Sequence, residues 1–294
     1  MRIGLNLSAV IPFHNFSVNF PKLVNLLNVA KDFEVDLILV ADSLNDDDFR
    51  QLSIVVDSFT NISLLRCDYK SAAQTRNLGL RTAKSEWVVF WDCDDMVYLR
   101  AYQDILFDCN LSDADLIVSQ IEIRSQSRGI NLRTSITMTP DQIGVFPAFT
   151  RFIYRRALIG NTQFVPIPLC EDQCFLAEIL SKNPKIAFSR LTTYQYVIDN
   201  PFQGSNTLFA HDSHRAAAQF IWNLTAVEST ATKFSKSLQI MSLKLLLSSL
   251  KRMKLIYAKQ MPELLLQILK IVFIRPSILF FVLSNRAKLF EAVG

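Results

Sequence analysis

The chain of 294 residues has little glycine, only seven residues, and only three histidines. No Gly-x-Gly-x-x-Gly run and no Walker-type loop occurs, so Rossmann dinucleotide binding and P-loop chemistry both lack their signatures. The five cysteines, Cys67, Cys93, Cys109, Cys170 and Cys174, are odd in number and scattered. That argues against a disulfide framework and offers no zinc-type pair spacing; reduced, mostly buried thiols are expected. There is no uncharged run of roughly 18 apolar residues, so a membrane-spanning helix is not expected. The N-terminus does not read as a secretory leader: Asn6 interrupts the apolar residues after Arg2, and no small-residue cleavage site follows. The expected location is the cytoplasm.

What is present is apolar and unevenly charged. Half of the residues are hydrophobic, ample for one large or two modest domains. Residues 1–232 hold 20 basic and 25 acidic residues, a net −5, whereas residues 233–294 hold 11 basic and 2 acidic, a net +9; together they give the +4 of the chain. A mildly acidic body therefore carries a basic tail.

The most informative stretch is Glu86–Asp95. Trp87, Val88, Val89, Phe90 and Trp91 are five consecutive aromatic or β-branched residues, too short for a buried helix and suited to a strand covered on both faces. The run ends in Asp92, Asp94 and Asp95. Carboxylates at the carboxyl end of a buried strand are not packing residues, and ligands of open α/β sheets sit outside such ends. In extended chain Asp92 and Asp94 point the same way. Their mutual repulsion calls for a cation, and Mg²⁺ or Mn²⁺ sharing its shell with a phosphate is the natural one. A strand followed by an Asp-rich turn or helix cap is the alternative.

The rest of the N-terminal half alternates. Ser8–Phe13, Val35–Ala41 and Ile62–Arg66 read as strands; Phe20–Lys31, Asp46–Ser58 and Ser71–Lys84 read as helices, the second capped by Asn45 or Asp46. This pattern predicts a mainly parallel sheet flanked by helices, with His14-Asn15, Asp42-Ser43 and Asp92–Asp95 on one rim. That rim is the candidate nucleotide site.

Four segments in order resemble family 2 glycosyltransferases of the GT-A fold: Val10-Ile11-Pro12-Phe13-His14-Asn15, Val40-Ala41-Asp42-Ser43-Leu44-Asn45-Asp46, Thr75-Arg76-Asn77-Leu78-Gly79 and Trp91-Asp92-Cys93-Asp94-Asp95. Phe149–Leu158, Cys170-Glu171-Asp172-Gln173-Cys174-Phe175, and Tyr194-Gln195-Tyr196 followed by Ser205-Asn206-Thr207 extend the resemblance to roughly residues 5–210. Ala41 departs from a family Asp, and the Gly that follows in the family is absent here. The Gln-x-x-Arg-Trp motif of processive members is also absent, which favours one sugar per event. The resemblance implies a GT-A catalytic domain over residues 1–211, with a nucleotide-sugar half (1–95) and an acceptor half (96–211).

It also implies roles. Asp94 is the metal ligand, with Asp92 reaching the ribose or the metal and His211 completing the shell; a core or surface histidine is the stronger alternative for His211. Pro12, Asn15, Asp42 and Arg76 face the donor nucleotide, although Asp42 also fits a turn and Arg76 a helix anchor. Asp172 is the general base and Glu171 its neighbour orienting the acceptor; acidic residues favouring a helix dipole are the alternative. The expected enzyme is inverting and depends on Mn²⁺ or Mg²⁺. It moves one sugar, from a UDP-sugar by preference, to a glycan or lipid-linked glycan in surface polysaccharide or lipopolysaccharide assembly. A non-catalytic binding protein on the same fold is the rival, and a sugar-nucleotide pyrophosphorylase a weaker one.

Residues 212–294 read as a basic amphipathic helical region. Leu243, Leu246, Leu250, Met253 and Tyr257 recur at helical spacing, and Glu263–Ile274 is apolar around the narrow stripe of Glu263, Gln267 and Lys270. The region fits either peripheral attachment to the inner face of the cell membrane or a helical subdomain packed on the catalytic domain or forming an oligomer. Nucleic acid is disfavoured, since no aromatic-basic platform appears.

Overall fold

The computed structural model describes residues 4–108, 111, 113–125, 127, 129–134, 139–197, 210–226, 233–252, 261–274, 276–279 and 290–292. The alternating N-terminal pattern forms as expected: β1 (Gly4–Phe13), α1 (Phe16–Ala30), β2 (Glu34–Asp42), α2 (Asp46–Val56), β3 (Ile62–Cys67), α3 (Ala72–Thr82) and β4 (Trp87–Phe90). These four strands pair in parallel in the order β3-β2-β1-β4, and Val35, Leu37–Ala41 and Val88–Phe90 are buried, as the unbroken apolar runs require. Asn45 caps α2, its side chain accepting from the Asp48 N–H at 2.8 Å, with Asp46, Asp47 and Asp48 in the first turn. α1 starts earlier than its Pro21 suggests, because Asn15 takes a left-handed φ of 51° that turns the chain directly into the helix; Pro21 lies inside it.

Beyond β4 the elements are β5 (Met96–Val97), α4 (Leu99–Leu106), β6 (Leu116–Ser125), β7 (Ile130–Thr134), α5 (Pro140–Val145), β8 (Phe152–Arg155), α6 (Arg156–Ile159), α7 (Glu171–Ser181), β9 (Ile186–Val197), α8 (Ala210–Ala226), α9 (Ser235–Arg252), α10 (Met261–Ile274) and β10 (Phe290–Ala292). Here the sheet changes character. β8 pairs antiparallel with both β4 and β6, β7 is antiparallel to β6 and β10 to β7, and only β6–β9 is parallel. The sheet is thus mixed: parallel in the N-terminal part, largely antiparallel in the rest. Phe149–Leu158, one of the segments that extend the resemblance, divides into a 3₁₀ turn (Phe149–Arg151), β8 and α6. β10 was not foreseen.

Each face of the sheet has its own core. One packs under α1, α2 and α4; the other lies between the sheet and α3, α5, α7, α8 and α9. α9 decides the status of the tail. Leu238, Ile240, Met241 and Leu243 are fully buried, and the Cα of Gly144 on α5 comes so close that a Cβ there would sit 2.3 Å from the Ser237 carbonyl oxygen. Lys236 also pairs with Asp141 at 2.5 Å. The helix is therefore part of the fold, as the packed-subdomain alternative requires. Leu243 and Leu246 are buried and Leu250 packs at the edge, as the spacing predicts, while Met253 and Tyr257 lie outside the described residues, as do Ser205-Asn206-Thr207. Among the described residues no helix is long and apolar enough to cross a membrane.

Candidate active site

A cavity of about 1000 Å³ opens at the carboxyl ends of β1, β2 and β4. Pro12–Asn15, Asp42-Ser43, Lys70–Ala72 and Asp92–Asp95 line it from the parallel half; Phe146–Thr150, Pro168–Gln173, Tyr196 and Lys244 close the other side. Of the six described non-glycine residues with positive φ, four line this cavity: Asn15, Ser43, Lys70 and Cys170. Such conformations cost of order 1 kcal/mol each and concentrate where geometry matters more than stability. Ser43, at φ 59°, does here without glycine what a left-handed turn ordinarily assigns to it.

Thr75–Gly79 on α3 shows what each side chain of a short motif holds. Asp42 Oδ2 accepts from Thr75 Oγ1 at 2.8 Å and from the Ser71 N–H at 3.2 Å. Its Oδ1 accepts from the Tyr69 and Lys70 N–H groups at 2.8 and 3.1 Å and lies 2.8 Å from Ser43 Oγ. Burial raises the Asp42 pKa, but these hydrogen bonds outweigh it and hold the carboxyl below its ordinary range. Arg76 donates through Nη1 to Glu171 Oε1 at 2.6 Å and through Nη2 to Asp92 Oδ1 at 3.0 Å, with its guanidinium 4.7 Å from the Phe149 ring centroid. Asn77 exchanges two 2.8 Å bonds with the backbone of Phe164. Gly79 lets α3 lie on the sheet: a Cβ there would meet Val10 Cγ1 at 2.5 Å.

The carboxylates after β4 do not continue the strand. Asp95 N–H bonds back to the Asp92 carbonyl at 3.3 Å, closing a turn, so the expected side-by-side extended arrangement of Asp92 and Asp94 is not what forms. The turn lets the chain place its acids differently. Asp92 meets Arg76; Asp94 lines the cavity; Asp95 turns inward, accepting from Tyr194 Oη at 2.8 Å and from the Val197 N–H at 2.9 Å. Tyr194 Oη also accepts from the Asp92 N–H at 3.0 Å, so one hydroxyl clamps both ends of the turn. Burial first, then the charge of Asp92, pushes the Asp95 carboxyl well above its usual range; burial and the charges of Asp94 and Asp92 do the same to the Cys93 thiol.

Across the cavity, Cys170 is left-handed and starts α7 without a side-chain cap. Glu171 is buried against Arg76, whereas Asp172 is half-buried in the cavity wall. Burial, then the neighbouring charge of Glu171, raises the Asp172 carboxyl to about 7, with Arg76 opposing.

The profile of glycosyl transferase family 2 matches residues 8–178, more than half of the chain. The chain belongs to that family. It is 25% identical over 224 residues to the poly(ribitol-phosphate) β-N-acetylglucosaminyltransferase TarP of Staphylococcus aureus, covering 70% of this chain and 66% of TarP. It is 21% identical over 212 residues to the uncharacterized glycosyltransferase YibD of Escherichia coli K12, covering 66% of this chain and 62% of YibD. The chain thus spans just under two thirds of these relatives. Among solved structures, S. aureus TarS 1–349 in complex with UDP-GlcNAc superposes with a TM-score of 0.71 at 20% identity, over 92% of this chain and 82% of that one. That likeness is one of fold, and the mixed α/β architecture with its GT-A arrangement follows it.

Several residue assignments change within this family 2 glycosyltransferase. Pro12, Asn15, Asp42, Arg76, Asp92, Asp94, Glu171 and Asp172 do line one cavity. Arg76, expected to face the donor nucleotide or to anchor its helix, lines the cavity with both Nη atoms on carboxylates. Asp42 organises the β3–α3 loop, both its oxygens being engaged, and Glu171 holds Arg76 rather than facing the cavity with a free carboxylate. His211 is not in the cavity wall: it is buried on α8, its carbonyl accepting from Ser249 Oγ of α9 and its Nε2 lying 3.1 Å from Asp212 Oδ1. Its position is that of the core histidine weighed against the ligand reading.

Among the described residues no three His, Cys, Asp or Glu converge into a closed metal site. The donor chemistry nevertheless fits a hard cation that shares its shell with phosphate oxygens: the oxygen ligands at the cavity end of the turn are carboxylates, Asp92 and Asp94. Thr75 and Tyr194 belong to the quoted motifs, but their bonds to Asp42 and Asp95 have no local signal, and Lys244 arrives in the cavity wall from α9, outside every quoted motif.

Proposed function

We propose that the protein is an inverting glycosyltransferase that moves one sugar from a UDP-sugar to a hydroxyl of a surface-glycan or lipid-linked glycan acceptor, with Mn²⁺ or Mg²⁺. The observation that carries this reading is the pairing, across one cavity, of the acidic turn bearing Asp94 with an Asp172 carboxyl raised to about 7. UDP-GlcNAc in TarS and the N-acetylglucosamine transfer in the name of TarP support a UDP-sugar donor, UDP-GlcNAc being the first to test.

Asp94, with Asp92, would hold the cation. When bound, that ion neutralises the charge that builds on the leaving diphosphate. The remaining work falls to the chain. Asp172 in its ionised form takes the proton from the acceptor hydroxyl as its oxygen attacks the anomeric carbon from the face opposite the diphosphate, and the C–O bond to the diphosphate breaks with inversion. A base near neutrality is matched to that task. Arg76 keeps Glu171 and Asp92 compensated, which prevents two more like charges from driving Asp172 out of its useful range. Phe149 and Phe164 lie against the guanidinium, on the buried side where it pairs with Glu171.

Thermal-shift titration with a panel of nucleotide sugars, with and without Mn²⁺, tests the reading, followed by NMR of the product anomer. A UDP-sugar should raise the melting temperature in a cation-dependent way, and the new linkage should be of opposite configuration to the donor. Binding of no nucleotide sugar in either condition, or a product that retains configuration, would overturn it.

A further inference from the structure

α10 is amphipathic in the wrong sense for a helix on a soluble surface. Its outward positions are Leu265, Leu266, Leu269 and Phe273, respectively 43%, 53%, 61% and 89% exposed. Its inward positions include Leu264 and Ile271, but also Gln267, whose Nε2 lies 3.5 Å from Gln219 Oε1 on α8. At 1.5 Å per residue the helix is about 21 Å long, and the four side chains form a continuous stripe along it. Surface helices normally turn such a stripe inward and their amides outward. An exposed apolar patch of this kind marks a contact with something apolar.

The charge around the stripe indicates what that is. Lys270 flanks it and is exposed, as are Lys251 and Arg252 at the end of α9, against which α10 packs. The whole segment 233–294 carries a net +9. A protein partner or a second copy would satisfy the leucines alone; apolar stripe and cationic flank together match the interface of an anionic bilayer, where acyl chains take the first and headgroups the second. Arg252 is close enough to Cys170, on the cavity rim two residues before Asp172, to act on its thiol electrostatically.

We propose that the outward face of α10 docks the protein on the surface of an anionic membrane. Docking assigns α9 and α10 different work: α9 completes the core, and α10 alone meets the bilayer.

The inference is tested without any sugar substrate, so its outcome is separate from that of the proposed reaction. The full chain is sedimented with phosphatidylcholine vesicles, pure or containing about a third phosphatidylglycerol, at low and high salt. The wild-type protein should pellet with the anionic vesicles at low salt and much less at high salt or with neutral ones. The triple variant L266E/L269E/F273E should lose at least about tenfold in partitioning, with an unchanged melting temperature. Should the triple variant melt early, F273E alone, at the most exposed position, should still weaken partitioning measurably. A wild-type protein that ignores anionic vesicles at low salt overturns the proposal, as does a folded variant that binds them equally well. A wild-type dimer that the variant converts to monomer, with neither binding vesicles, would reassign the stripe to self-association.

Discussion

Replacing Arg76 by Met removes the buried charge on which both halves of the site converge while keeping most of the unbranched stem. Its side chain is 8% exposed, and it bonds Glu171, 11% exposed, and Asp92, 31% exposed. The Asp92 pair is partly open to water, so its loss is screened and contributes little. The Glu171 pair is not. Removing one partner of a buried ion pair leaves an uncompensated charge and typically costs about 3–5 kcal/mol, and most of that should come from Glu171. The cost depends on pH with a definite sign. Without the opposing charge of Arg76, the Asp172 carboxyl, already raised to about 7 by burial and the Glu171 charge, rises further, so native R76M holds a proton over a wider pH range than the wild type while the unfolded chain has lost it. Stability is then retained at low pH and lost as pH rises through the folded values. Urea denaturation at pH 5 and pH 8 should accordingly show R76M nearer to wild type at pH 5. The double variant R76M/E171Q should recover a large part of the loss at pH 8, because the orphaned charge is gone. A loss below about 1 kcal/mol at pH 8, or one equal at both pH values, would mean that the guanidinium is packing material and not the electrostatic centre of the site.

Asp94→Asn should abolish Mn²⁺-dependent UDP binding measured by calorimetry and cut turnover by at least about 10²-fold with the fold intact; near-normal turnover would remove Asp94 from the metal site. With Asp172 raised to about 7, kcat/KM should rise with pH through about 7 and level off above it, since only the ionised form accepts a proton. Asp172→Asn should erase that limb and slow turnover by about 10²–10⁴ with donor affinity kept; loss of donor affinity instead would place Asp172 among the donor contacts. Gly144→Ala forces a Cβ against the Ser237 carbonyl and should cost about 1–3 kcal/mol in chemical denaturation. For the same reason truncation after Ala231, which removes the buried α9, should yield aggregate on size exclusion; a monodisperse fragment would contradict the packing described for that helix.

The N-terminal, parallel part of the sheet was legible because its signals are local. Unbroken apolar runs at β2 and β4, Asn45 at a helix start and acids at strand ends each follow from a few adjacent residues. What the sequence concealed is which partner each polar side chain chooses. Arg76 and Glu171 are 95 positions apart, and Asp42 and Thr75 are 33 apart; nothing in either neighbourhood states that the bonds exist. Adjacent acids illustrate the difficulty best. Asp92, Asp94 and Asp95 look alike in the chain, yet the turn sends one to Arg76, one to the cavity and one beneath Tyr194. The partners of two of them come from different elements, α3 for Asp92 and β9 for Asp95, while Asp94 stays on the cavity wall. The tail was ambiguous for a related physical reason: a wide apolar face flanked by lysines serves a protein core and a bilayer equally well. Only the position of α5 and α7 beside α9, and the absence of any such neighbour over Leu266, Leu269 and Phe273 among the described residues, separates the two uses within one basic segment.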